Sequence, residues 1–139
     1  MVIRPFADSD TEAVVALWEH AGLTRPWNDP RKDIARKRSV QSELFLVAVD
    51  GSQLVATVMA GYDGHRGWVN YLAVDPDYRH RGIGRRLMDK VERGLASLGC
   101  PKINLQVRVE NDDALAFYER LGFTRDAVVM LGKRLECDD

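Results

Sequence analysis

The chain has 139 residues, 45% apolar and 29% charged, with a net charge of −1; this allows one core and excludes wholesale disorder or a fibrous assembly. No apolar run approaches the roughly 20 residues that cross a bilayer, and Met1-Val2-Ile3-Arg4-Pro5 lacks the long apolar segment of a secretory signal, so one cytoplasmic domain over 1–139 is expected. The near-neutral charge argues against a general nucleic-acid or membrane binder, and Cys100 and Cys137, outside any Cys/His cluster of metal-ligand spacing, predict idle thiols and no metal.

Residues 1–7 read as a short strand. Ser9 and Glu12 have the spacing of a capping box, so a helix is predicted there, with Val14, Leu17, Trp18 and Ala21 on its buried face and Gly22 as a left-handed stop. Pro30 sits at the first turn of a second helix through Lys37, polar enough to lie at the rim as a solvated face or a cleft wall. Leu44 to Val49, the Asp50-Gly51 turn and Leu54 to Ala60 form an antiparallel pair, and the turn Gly61 to Gly67 leads to a third strand, Trp68 to Val74. Ile83, Leu87, Met88, Val91, Leu95 and Leu98 mark an amphipathic helix that Gly99 ends. Ile103, Leu105, Val107 and Val109 alternate with polar residues as a half-buried strand does. Asn111 and Asp112 cap a last helix, Ala114 to Leu121, residues 124–135 close the sheet, and Cys137-Asp138-Asp139 should fray. The order β-α-α-β-β-β-α-β-α-β predicts an α+β (mixed α/β) fold, a meander joined to β-α-β crossovers in one mixed sheet with helices on both faces.

From Arg79 to Arg86, five of eight residues are Arg or His. A solvated basic turn has this composition too, and the glycines decide between the readings. Arg79-His80-Arg81-Gly82-Ile83-Gly84 lies between a strand end and a helix start, where unpaired backbone N–H groups and the helix dipole favour an anion. Glycine at 82 and 84 permits left-handed torsions and close approach of a diphosphate, and a side chain at Gly82 should clash. A mononucleotide P-loop needs Lys-Ser or Lys-Thr where Arg85-Arg86 stand, and a dinucleotide fingerprint needs Gly or Ala where Leu87 stands.

With Asn111, Ala114, Phe117, Tyr118 and Gly122-Phe123 downstream of this Arg-x-x-Gly-x-Gly loop, the chain resembles the GCN5-related N-acetyltransferase (GNAT) family over nearly its whole length. The segments Arg25 to Pro30, Gly61 to Gly67 and Leu131 to Leu135 look like those of its YpeA-type bacterial members. The resemblance implies the acyl-CoA N-acyltransferase fold, with a central mixed sheet of six to seven strands. It implies acetyl-CoA as donor and a primary amine, of a small molecule or of a peptide or protein, attacking directly in a ternary complex. Carried over to this chain, Arg81, Gly82, Ile83, Gly84, Arg85 and Arg86 hold the diphosphate, Arg79 is a further cofactor contact, and Leu72, Ala73 and Val74 hold the pantetheine arm where 71–74 and 104–109 splay apart. Asn111, Ala114 and Phe117 add contacts, and Tyr118 is the general acid.

A phenol, with a reference pKa of about 10 against about 8.5 for a thiol, stays protonated at neutral pH and suits a departing thiolate, although Phe117-Tyr118 also reads as an ordinary buried pair. Asn111 serves as helix cap, as pantetheine ligand, or as both. The oxyanion donor is a backbone N–H near Leu72 or Ala73. Several family members carry a base glutamate on the strand matching Trp68 to Leu72; here only Asn70 and Tyr71 stand there, which favours deprotonation through water. Glu43, Asp63, His65 and Glu110 are the remaining bases, His65 best matched in pKa, with a plain polar turn as its alternative. Trp27, Tyr62, Trp68 and Tyr71, with His65, line an acceptor cleft or belong to the core. A catalytically inactive acyl-CoA-binding sensor and a nucleic-acid grip by the arginine cluster are the competing functions, and both a monomer and a homodimer are compatible with the sequence.

Overall fold

Val14, Val15, Leu17 and Trp18 are buried along one stripe of α1 (Thr11–His20), the outcome a 3.6-residue period imposes on this stretch. The computed structural model describes residues 1–138, which fall into two units: Met1–Leu105 with Asp138, and Gln106–Cys137. The first holds a sheet of β1 (Val2–Pro5), β2 (Phe45–Asp50), β3 (Gln53–Tyr62), β4 (Gly67–Val74) and β5 (Ile103–Leu105), in the order β1-β2-β3-β4-β5. The first four strands pair antiparallel, while β5 runs parallel to β4. The mixed fold is thus as the sequence predicts, with Asp50-Gly51 turning the hairpin at a Gly51 φ of 62°.

Helix α1 and α2 (Pro30–Arg38) cover one face, where Val14, Trp18 and Ile34 pack with Phe45, Val47, Met59 and Ala73. Helix α3 (Ile83–Ser97) packs on β2, β3 and β4 with Ile83, Leu87, Met88, Val91 and Leu95 buried. None of these five joins the α1/α2 cluster, so α3 covers the opposite face. Pro30 opens α2, and the Asp29 carboxylate caps it by accepting from the Arg31 N–H at 2.9 Å.

Four expectations change. The Ser9/Glu12 box does not form: α1 follows a 3-10 turn, Asp8–Asp10, and the Asp10 carboxylate accepts from the Ala7 N–H at 2.8 Å and from both Arg4 guanidinium nitrogens at 2.7 and 2.9 Å. Glu12 instead holds Arg31 of α2. The sheet of the described residues has five strands rather than six to seven. The strand predicted through Val109 stops at Leu105, and 124–135 form none; Val128, Val129, Leu131 and Leu135 are 79–92% exposed, since apolar alternation supplies a face but no partner. Asp138 does not fray: its side chain takes the Asp29 N–H at 2.8 Å and Arg36 at 2.6 Å and is buried, while Asp139 lies outside the described residues.

The second unit holds α4 (Asp112–Arg120). Asn111 caps it, its Oδ1 accepting from the Ala114 N–H at 3.1 Å, and Gly122, at φ 97°, ends it in the left-handed turn that lets the Phe123 N–H reach the Tyr118 carbonyl at 3.0 Å.

Candidate active site

At the start of α3 the N-cap is Gly82, with φ 77° and ψ 11°, and the Arg86 N–H closes onto the Gly82 carbonyl at 3.1 Å. The N–H groups of Ile83, Gly84 and Arg85 therefore have no partner within the helix. No acidic residue stands in the first turn, and Arg79, Arg81, Arg85 and Arg86 are exposed around it. Such a cradle fits a diphosphate in geometry and sign. A Cβ at Gly82 meets no protein atom within 4 Å, so within the protein itself the left-handed φ is what demands glycine. His80, at φ 63°, is left-handed as well, a feature no glycine announces in the sequence. The Arg81 guanidinium stacks on the Tyr78 ring at 4.6 Å and donates to the Asp77 carbonyl at 3.1 Å, while the Tyr78 hydroxyl donates to Asp50 at 2.9 Å.

Leu72, Ala73 and Val74 end β4. The β4–β5 ladder pairs Gly67, Trp68 and Val69 with Ile103, Asn104 and Leu105 and goes no further. Among the described residues, β4 therefore has no β5 partner from Asn70 to Val74, and the open main-chain edge fits the amide groups of a pantetheine arm. On the other side, Met59 pairs with Asn70 and Thr57 with Ala73, so Val58 alone opposes both Tyr71 and Leu72. That is a β-bulge, and Tyr71 takes φ 52° at the position where glycine is usual.

Tyr71, a predicted cleft residue, is anchored at three points. Its ring stacks on Trp18 with centroids 3.7 Å apart and planes 10° apart. Its hydroxyl donates to Asp33 Oδ2 at 2.6 Å, and its carbonyl accepts from Thr57 Oγ1 at 2.9 Å. Burial and the Asp33 carboxylate raise its pKa. Trp18, Asp33 and Thr57 were not singled out for the site by sequence. Asp33 and Tyr71 are 38 positions apart, and no local pattern links them.

The other acceptor candidates are placed as follows. Trp27 is 58% exposed, and Tyr62 is half-buried, its main chain clasped by the Gln41 amide at 2.7 and 3.0 Å. His65 is exposed in a turn that Asp63 organises: one carboxylate oxygen accepts from the His65 and Arg66 N–H groups at 2.8 and 2.7 Å, the other from the Trp68 indole at 3.2 Å. The Arg66 and His65 N–H groups hold the Asp63 carboxyl below its usual range. Glu43 and Glu110 are exposed. In the second unit, Asn111 is exposed, Ala114, Phe117 and Tyr118 are half-buried, and Tyr118 lies edge-on to Phe117 and Phe123 at 5.1 and 5.6 Å. Burial pushes its phenol up to about 12.

Comparison with known proteins identifies the family. The acetyltransferase (GNAT) family matches residues 12–123. An acetyltransferase of Yersinia enterocolitica is 50% identical over 138 residues, 99% of this chain and 98% of that one. The crystal structure of Ard1 from Thermoplasma volcanium superposes with a TM-score of 0.79 at 27% identity, covering 91% of this chain and 84% of that one. A structure of the NatC complex bound to Gag peptide and CoA gives 0.75 at 26%, covering 90% and 85%. A family match across both the arginine–glycine loop and Tyr118, joined to half-identity from end to end with a bacterial acetyltransferase, shows that the chain belongs to the acetyltransferase (GNAT) family and is an acetyl-CoA-dependent acyltransferase.

Proposed function

We propose that the chain transfers the acetyl group of acetyl-CoA to a primary amine of a small molecule, peptide or protein, by direct attack in a ternary complex. The observation that carries this reading is the α3 N-terminus, three unpartnered N–H groups behind a left-handed glycine and four exposed arginines. It supports diphosphate binding by Arg79, Arg81, Gly82, Ile83, Gly84 and Arg85. The open β4 edge supports main-chain pairing of Leu72, Ala73 and Val74 with the pantetheine arm, to which we also assign Asn111, Ala114 and Phe117 on their resemblance to the family motif. The bound donor supplies an activated thioester.

In the step itself the neutral amine nitrogen bonds to the acetyl carbon, the carbon–sulfur bond breaks, and the thiolate takes a proton. Backbone N–H groups of the β4 bulge stabilise the negative charge that develops on the carbonyl oxygen. Tyr118, protonated at neutral pH, is the proton source for sulfur. The proton the amine sheds leaves through water, because β4 offers no carboxylate beside Asn70 and Tyr71.

Calorimetry tests the site. Wild type binds acetyl-CoA, and Gly82→Glu, which puts a side chain on a left-handed residue and a negative charge at the helix N-terminus, weakens binding by at least about a hundredfold. Equal affinity in the two proteins refutes the assignment. A sensor without catalysis binds equally well but releases no thiol across a panel of amines.

A further inference from the structure

Resting on the acetyltransferase reading, we propose that Trp18 and Thr57, acting through Tyr71, form a positioning lock that aims the Leu72 N–H at the thioester carbonyl oxygen, with Trp18 and Thr57 themselves touching neither substrate. The Tyr71 carbonyl and the Leu72 N–H belong to the same trans amide and point in opposite directions. Thr57 Oγ1 donates to that carbonyl at 2.9 Å, so the carbonyl is turned toward β3 and the N–H away from it. The direction of the donor is therefore set by a threonine on the neighbouring strand.

The threonine is itself fixed. Its hydroxyl has one hydrogen, given to Tyr71, and it accepts from the Trp18 indole N–H at 2.9 Å, which leaves its rotor a single orientation. Thr57 and Trp18 are both 0% exposed, so neither contacts a ligand directly. The bulge needs such support because Tyr71 adopts φ 52° without being glycine. The stack on Trp18 at 3.7 Å and the hydroxyl bond to Asp33 at 2.6 Å hold the ring while Thr57 holds the carbonyl. The bulge so fixed lies on the stretch of β4 that, among the described residues, β5 leaves unpaired.

The test uses Thr57→Val, which keeps the shape and removes both hydrogen bonds, and Thr57→Ser, which restores both. Acetyl-CoA labelled with carbon-13 at the acetyl carbonyl reports the donor directly, since a hydrogen bond to the oxygen moves that resonance downfield. In wild type the bound signal is displaced. In Thr57→Val most of the displacement is lost and kcat falls by about tenfold or more, toward the range seen when an oxyanion donor is removed. The Kd for CoA and the KM for acetyl-CoA change by less than about threefold, because the diphosphate cradle is untouched. Thr57→Ser recovers signal and rate. If Thr57→Val does not fold by circular dichroism, Tyr71→Phe, which frees the ring from Asp33, shifts the same two readouts in the same direction.

A folded variant with the wild-type carbonyl signal and kcat overturns the lock while leaving the acetyltransferase reading intact. Wild type that fails to bind acetyl-CoA overturns both. Wild type that binds it but acetylates no amine overturns the transfer reading alone, and the carbonyl signal still decides the lock.

Discussion

Tyr118 carries a phenol held edge-on between Phe117 and Phe123, with a pKa raised by burial to about 12. Tyr118→Phe keeps the ring contacts and removes only the hydroxyl, so kcat falls roughly ten- to a thousandfold with acetyl-CoA affinity nearly unchanged; steady-state kinetics beside calorimetry checks this. Equal turnover removes the residue from the mechanism. The same shift has a stability signature. The unfolded chain ionises at the ordinary value of 10.0 before the folded one does, so the group's contribution is whole below pH 10 and is lost as pH rises toward 12. In melting curves across that window, wild-type stability should fall more steeply with pH than that of Tyr118→Phe. Thr57 acts at the same scale: Thr57→Val leaves the buried Trp18 N–H without an acceptor, a cost of about 1–3 kcal/mol readable in urea unfolding.

At the level of elements, Asp10 joins β1 to α1, accepting from both Arg4 guanidinium nitrogens and from the Ala7 N–H. Asp10→Ala strands those donors and should destabilise the protein by about 2 kcal/mol at pH 7, measured by chemical denaturation. The Arg4 hydrogen bond, more than the Ala7 N–H or simple charge attraction, depresses the Asp10 carboxyl against the opposing effect of burial. Its contribution is therefore present above pH 3.8 and is lost as pH falls through the lowered value, so wild type and variant converge in acid. Helix α2 is likewise anchored through its side chains. Its composition marks a polar rim helix, yet Ile34 and Lys37 are buried, the lysine donating to the Ala60 carbonyl with its pKa lowered by desolvation. A helix tied to the sheet at Lys37, to β4 through Asp33 and to Asp138 through Arg36 is a fixed wall beside the bulge.

Across the whole molecule, protection should follow the pairing. Amide hydrogen exchange is predicted slowest in β2, β3 and the first half of β4, and rapid over 124–137, where no ladder shields the N–H groups. Slow exchange over 124–137 would contradict the strand count found here. Helices and turns were legible in the sequence because their signals are local: Pro30 opens α2, Gly22 and Gly122 end helices, and the three-four spacing from Ile83 to Leu95 marks α3. The loop from Arg79 to Gly84 was legible for the same reason. Strand length was not, since the alternation from Ile103 to Val109 shows which side chains share a face but not where pairing ceases. The bulge was hidden further still: a left-handed tyrosine has no sequence signature, and its supports at Trp18, Asp33 and Thr57 meet only through the fold.

The stacking of Trp18 on Tyr71 also makes the protein its own optical probe. Trp18 is fully shielded from water, whereas Trp27 is 58% exposed and Trp68 half-buried. Replacing the latter two with phenylalanine leaves a single blue-emitting indole, in ring contact with the residue that bends β4. Its quantum yield would follow a cosubstrate settling along that strand, with no dye attached.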